Sequence, residues 1–411
     1  MNKFLLLPLS FLTFSLFSQE IKFSGEAGTV WARALRSENQ GDFVLGDTYL
    51  NGNLEVFHEK SSVYAESRAG FDEVSDETYY DLKEIWLDYT TDFWGFRIGR
   101  QKSAWGKADG IDITNVICPP DYSSNRTLLN DDYLGIDSLR LSFTGESLTL
   151  DAYFIPFFKA SPLPAEKSKL IFTTTLPEKN LNSAEYGIKL SGYFSLLDIS
   201  LYGFYGWEDT PFLSYSPKIE NGTPAGVEIN ADYRRMTMFG LDAAVPLGEL
   251  VFRAETAFFP GRNFQKSAAK IITEKSINPS GESVKITEKH ENLLALAGLD
   301  WMPDSWTFTA QYFCNYLCGS TENLDRSRTF THGATLSLSK SLFSETLKLS
   351  ASGVLMLNDF DSVIEFSGEY SLSDDIFLEA GSWIFSEGKE KGTYGEYKNL
   401  TSAYLKARYV F

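Results

Sequence analysis

The last ten residues, SAYLKARYVF (402–411), decide the fold. Ala403, Leu405, Ala407 and Tyr409 alternate with Tyr404, Lys406 and Arg408, and the chain stops on Phe411. A period of two puts alternate residues on opposite faces of a strand. Here one face is apolar and the other carries cations. The first suits lipid, the second suits a wet lumen, and a final aromatic can anchor at the interface between them.

The same period recurs along the chain. Val63-Ala65-Ser67-Ala69-Phe71, Leu148-Leu150-Ala152-Phe154 and Phe252-Ala254-Thr256-Phe258 alternate with polar or small residues such as Glu66, Arg68, Asp151, Arg253 and Glu255. Trp306-Phe308-Ala310-Tyr312 and Leu347-Leu349-Ala351-Gly353-Leu355 continue the series. Strands of ~9–11 residues exceed those of soluble sheets and suit a tilted bilayer crossing.

Short links near 59–62, 91–93, 145–147, 194–197, 246–249, 303–305, 341–346 and 371–375 alternate with longer polar ones. The long links fall near 36–44, 72–79, 102–136, 159–183, 207–234, 261–291, 316–328, 357–362 and 386–397. A soluble sandwich has no reason to sort its loops by length. Lipid permits a β-structure only as a closed ring, because an open edge leaves backbone groups unpaired in hydrocarbon. The expectation is an all-β fold: a transmembrane up-and-down antiparallel β-barrel of about 18 strands, with 16–20 compatible with the pattern. Trp31, Trp86, Trp94, Trp207, Trp301 and Trp306 read as its interface girdle.

At the other end, Lys3 precedes an apolar run from Phe4 to Phe17, and Ser18 precedes Gln19-Glu20. That run is shorter than the ~17–25 residues of a spanning helix and reads as a signal peptide, 1–18, cleaved near Ser18. Residues 19–411 then form one barrel domain. Loss of Lys3 takes the net charge from −18 to −19. A surface this acidic excludes nucleic acid as a partner, since the phosphate backbone demands Lys and Arg. Three cysteines, Cys118, Cys314 and Cys318, make no disulfide framework. The scattered His58, His290 and His332 have no zinc-ligand spacing, and no cofactor or metal is expected. Cys314 and Cys318 share a face and read as small outward residues.

One link carries the most chemistry. The strand ending GRQ (99–101) runs into KSAWGKADGIDITNV (102–116), rich in Gly, Asp and Asn, then into Cys118-Pro119-Pro120-Asp121. Gly106-Lys107 lacks the earlier glycine and the following Ser or Thr of a phosphate loop. Asp109 and Asp112 could act as acid and base in principle, but nothing pairs them with a substrate. A structureless link this long is expected to do something.

The stretches KEIWLDYTTDFWGFRIGRQKSAWGKADGIDITNV (83–116), LGIDSLRLSF (134–143), LDAYFIPFFKASPLP (150–164) and AEYGIKLSGYFSLLDISLYGFYGWEDTPF (184–212) resemble a porin-like, largely uncharacterised family of outer-membrane barrels. The family pattern has Asn-Pro where this chain has Cys118-Pro119-Pro120. The terminal Phe411 strand likewise resembles the assembly signal of outer-membrane barrels. The resemblance implies that 102–136, the third long loop, folds into the lumen and narrows it.

Glycines would let this loop turn, and Lys107, Asp109, Asp112, Asp121 and Arg126 would meet a solute. Glu84 and Asp88 alternate against Ile85, Leu87 and Tyr89, and with Arg97, Arg100 and Gln101 they are expected to line the pore. These side chains could equally form ion pairs between strands, and the two roles are compatible. The expected function is passive diffusion of ions and small hydrophilic solutes through the outer membrane by a non-enzymatic channel. Outer-membrane lipid would surround it, and a homo-oligomer is compatible with the fold. The rival expectation is a surface-binding protein or adhesin that uses its long loops.

Overall fold

β1 (Glu20–Ala34) pairs with β2 (Phe43–His58) on one side and with the last strand, β21 (Ser402–Val410), on the other, so the sheet has no free edge. This computed structural model describes residues 20–36, 38–123, 133–164, 170–220, 223–277, 284–389 and 392–411. The signal segment 1–18 lies outside them.

The ring runs through β3 (Ser61–Asp72), β4 (Glu77–Thr90), β5 (Trp94–Gln101), β6 (Ile136–Thr144) and β7 (Leu148–Ile155). β8 (Ile171–Thr175) leaves it; β9 (Glu185–Tyr193) and β10 (Asp198–Trp207) rejoin it. β11 (Phe212–Glu220) and β12 (Thr223–Asp232) leave it again. It continues with β13 (Arg235–Leu247), β14 (Leu250–Gln265), β15 (Thr287–Trp301), β16 (Trp306–Cys318) and β17 (Phe330–Leu342). β18 (Leu347–Met356), β19 (Ser362–Ser371) and β20 (Ile376–Ser386) lead back to β21. The barrel is thus 18-stranded, each strand antiparallel to its neighbours.

Eight short turns close one end and nine links the other, which brings both ends of the ring to the turn side. The length sorting has one exception. The β3–β4 link, 73–76, is no longer than the turn 343–346. Two of the long links also carry structure of their own. β8, β11 and β12 form a separate three-stranded sheet, and a helix, α1 (Ala268–Ile277), sits between β14 and β15.

Strand register settles the two faces. Leu405, Tyr409, Ile98, Leu141, Phe239 and Leu336 point outward and are exposed, as a lipid-facing belt requires. Trp31, Trp94, Trp301 and Trp306 belong to this outer surface. Trp86 does not: it is buried on the inward face, stacked on Tyr64 with the Arg97 guanidinium 3.6 Å above its ring. Cys314 and Cys318 pair with Ala295 and Glu291 on the outward face. At the seam, the Gly25 N–H donates to Phe411 O at 2.8 Å, the Phe411 N–H donates back to Gly25 O at 3.0 Å, and the Phe411 ring leans on Phe23.

The outward belt gives a first testable consequence. Leu405, 62% exposed near the middle of β21, sits where an added cation would meet hydrocarbon. Leu405→Arg is expected to destabilise the barrel by about 2–4 kcal/mol in lipid. Denaturant titration in bilayers checks this; an unchanged midpoint would mean that this face does not contact lipid.

Candidate pore constriction

The chain leaves β5 at Gln101 and re-enters the barrel at Ile136. Between them it does not stay at the rim. The segment after Gln101 crosses the lumen and binds inward-facing residues of β10 and β13–β16. Its main anchor is Glu255 of β14, which is 3% exposed. One carboxylate oxygen accepts the N–H groups of Lys107 at 2.9 Å and Ala108 at 3.0 Å. The other accepts the N–H and the hydroxyl of Thr114, both at 2.7 Å. Hydrogen bonds to an ionised acceptor are the strong kind, and four converge on this side chain.

Further ties flank the anchor. The Gly106 N–H donates to Tyr202 Oη at 3.1 Å, and Tyr202 in turn donates to Asp242. Arg253 donates to Lys107 O at 2.9 Å and pairs with Asp109 at 3.4 Å and Asp300 at 2.5 Å. Lys107 Nζ stands 3.7 Å from Asp242 and 3.8 Å from Asp198. Asp198 begins β10 beside a short turn, so the loop reaches far toward the turn end.

The Trp105-Gly106 step explains how the strand breaks. Trp105 inserts into an aromatic box of Tyr153, Tyr202 and Phe204, with centroids 5.0–6.2 Å away. Gly106 has φ +89°, and a Cβ there would collide with Glu255 Oε1. Only glycine fits both the left-handed backbone and the approach of the carboxylate. Beneath the loop, Ile113, Ile117 and Cys118 pack on inward Ile155, Met236, Met238, Phe259, Leu296 and Phe313. Burial pushes the Cys118 thiol up to about 12.

The opposite wall carries ion pairs beside a smaller apolar cluster of Val30, Ala32, Leu45, Trp383 and Phe385. Arg68 pairs with Asp47 at 2.5 Å over the Tyr49 ring, and Arg408 pairs with Glu369 at 2.6 Å and Glu26 at 3.5 Å. Tyr404 bridges Glu365 and Glu379 at 2.9 and 2.7 Å. Glu66 and Glu84 are direct inward partners across β3 and β4, a like-charge pair that a dry sheet would disfavour. Glu55 lies beside them on β2.

The residues singled out from the sequence separate as follows. Asp88 and Arg97 face inward as a 3.0 Å ion pair, with Arg140 3.7 Å from the same carboxylate. Glu84 faces inward and accepts the Lys102 N–H at 2.5 Å. Gln101 is buried on the inward face, donating to Ser138 O. Arg100 does not face the lumen. Its register partners are Ile85 and Asp137, and it forms an ion pair with Asp137 at 3.0 Å on the outer face of the barrel. Lys107 and Asp109 lie on the in-folded segment. Asp112 accepts from Tyr133 Oη and Asn115, and Asp121 from the Ser123 N–H. Arg126 lies outside the described residues.

The sequence did not single out Glu255, Tyr202 and Arg253, which tie the in-folded segment to the wall. The alternation marked Glu255 and Arg253 as wet-face residues of their strand; only the fold shows what they hold.

A closed 18-strand ring with a third loop tied across its lumen is a porin-like β-barrel. The chain belongs to the family described as "Protein of unknown function (DUF1302)", which matches residues 9–355. No curated protein matches it. Among solved structures, it is similar to the outer membrane channel DcaP of Acinetobacter baumannii, with 9% identity, 96% of this chain and 98% of that one covered, and a TM-score of 0.47. It is similar also to a loop L8 deletion mutant of OmpT, an outer membrane protein of Vibrio cholerae, with 9% identity, 96% and 100% coverage and a TM-score of 0.46. A triple mutant of the Rhodopseudomonas blastica porin matches at 12% identity, 95% and 100% coverage and a TM-score of 0.45. At these scores the barrel stands on its own strand pairs.

Proposed function

We propose that this protein is an outer-membrane channel for passive diffusion of ions and small hydrophilic solutes, with the loop 102–136 as its constriction. It is exported with cleavage near Ser18, the long loops face outward, and it performs no catalysis. One observation carries the reading: the loop lies against one half of the lumen wall while the facing half keeps its charged side chains. A loop that only filled the barrel would have no need of a charged wall opposite.

Purified protein reconstituted into planar bilayers is expected to give discrete conductance steps. Absence of steps from folded protein, judged by heat-modifiable migration, would sink the channel reading. Asp109 is 62% exposed despite its pairing with Arg253, so it is available to a passing ion. Asp109→Lys with Asp112→Lys is expected to move the reversal potential in a salt gradient toward anions. An unchanged potential would place the constriction elsewhere.

The rival reading, a surface-binding protein, draws on the three-stranded sheet that β8, β11 and β12 build outside the barrel. Deleting β11 and β12 separates the two: a channel keeps its conductance steps, whereas a binding protein loses its ligand.

A further inference from the structure

At the long-loop end, β14 and β15 pair as far as Gln265 and Thr287, well beyond where β13 last pairs with β14 at Phe239 and Phe258. Beside this projecting hairpin, residues of α1 and the three-stranded sheet border an open cleft of about 930 Å³. That is at the upper end of the ~300–1,000 Å³ typical of small-molecule sites.

The lining is unusual for a chain of net charge −18. Five cations, Arg234, Lys266, Lys275, Lys285 and Lys289, face two carboxylates. Three of the cations are engaged: Arg234 with Asp232 at 3.0 Å, Lys266 with Glu274 at 3.0 Å, and Lys275 with Tyr215 O at 2.5 Å. Among the described residues, neither Lys285 nor Lys289 has a carboxylate partner. Both are exposed and within reach of solvent. Behind them, Val284 and Ile286 give the cavity an apolar wall, continuous with a small core around Phe212 and Ile271.

We propose that this cavity binds a small organic anion, a carboxylate on an apolar body, at the mouth of the barrel. Lys285 and Lys289 hold the carboxylate, and the body rests on Val284 and Ile286. Inorganic ions are a poor fit, because they would leave the apolar wall wet and most of the volume empty. Two solvated lysines give modest affinity that falls with salt, suited to concentrating a solute and releasing it. The proposal does not depend on the channel reading, since binding is measured without flux.

The test is calorimetric titration of the folded full chain in detergent with benzoate, acetate and inorganic phosphate as probes. Saturable benzoate binding, stronger than acetate or phosphate and weakened by salt, is expected. Lys285→Gln with Lys289→Gln should weaken benzoate about tenfold. Val284→Ser should weaken benzoate and leave acetate unchanged. Both lysines are exposed, so the double variant keeps the fold, which heat-modifiable migration verifies. The proposal is overturned by no saturable benzoate binding, by equal binding in the lysine variant, or by phosphate binding as well as benzoate.

Discussion

Glu255→Ala is expected to raise single-channel conductance roughly twofold or more, by letting the third loop leave the lumen wall. Three backbone N–H groups and one hydroxyl lose their shared acceptor at once. An unsatisfied buried donor costs about 1–3 kcal/mol, so the bound loop loses several kcal/mol relative to one hydrated in the lumen. What remains is the Trp105 box, the Tyr202 and Arg253 contacts, the Lys107 ion pairs and the packing of Ile113, Ile117 and Cys118. Glu255→Gln keeps one oxygen acceptor but loses the charge, and is expected to fall between wild type and alanine.

Cysteine reactivity reads the same event without electrodes. Cys118 is buried on this segment, and its thiol is pushed up to about 12, so it should resist alkylation near neutral pH. Cys318 is exposed and serves as the internal control. In Glu255→Ala, Cys118 should become reactive while the protein still migrates as a folded barrel. If conductance and Cys118 protection both stay as in wild type, Glu255 does not hold the loop.

The barrel was legible because each strand writes its faces into a period of two. Tyr404, Lys406 and Arg408 against Leu405 and Tyr409 needed no tertiary knowledge. The eighteen strands and the position of the third loop followed from the links. The loop's seat was harder to read. Alternation predicts apolar outside and polar inside, yet the run Leu293–Leu299 is apolar on both faces: Leu293 faces outward, Leu296 inward. A barrel strand that is apolar on both faces needs something other than water on the inside. That signal, shared by Met236 and Met238, marks the half of the lumen the loop covers. The outward placement of Arg100 has a simpler reason. It neighbours Arg97 and Gln101 in sequence, but lies at odd spacing from both, and a one-residue step changes the face. Trp86 follows the same rule: aromatics belong to a girdle only on outward positions, and Trp86 shares parity with inward Glu84 and Asp88.

Neutralising Glu55, Glu66 and Glu84 together with glutamine is expected to move the reversal potential of the proposed channel away from the cation side. These carboxylates lie on β2, β3 and β4, opposite the loop-covered wall, and none forms an ion pair with a Lys or Arg among the described residues. The other inward acids nearby, Asp47 and Asp88, are matched by Arg68 and Arg97. A unit charge ~4 Å away contributes from about 1 kcal/mol in bulk water to about 4 kcal/mol at an effective dielectric of 20, enough to favour one sign of ion. Screening shortens that reach to ~8 Å at physiological salt, so the wild-type preference should itself shrink as salt rises. The control for a merely structural effect lies in the sign of the stability change. Glu66 and Glu84 repel each other across the strand pair, so glutamine there relieves repulsion and keeps an acceptor for the Lys102 N–H. The triple variant should therefore unfold no earlier than wild type while its reversal potential moves toward zero. An unchanged potential would assign selectivity to the loop residues Lys107 and Asp109 instead of the wall.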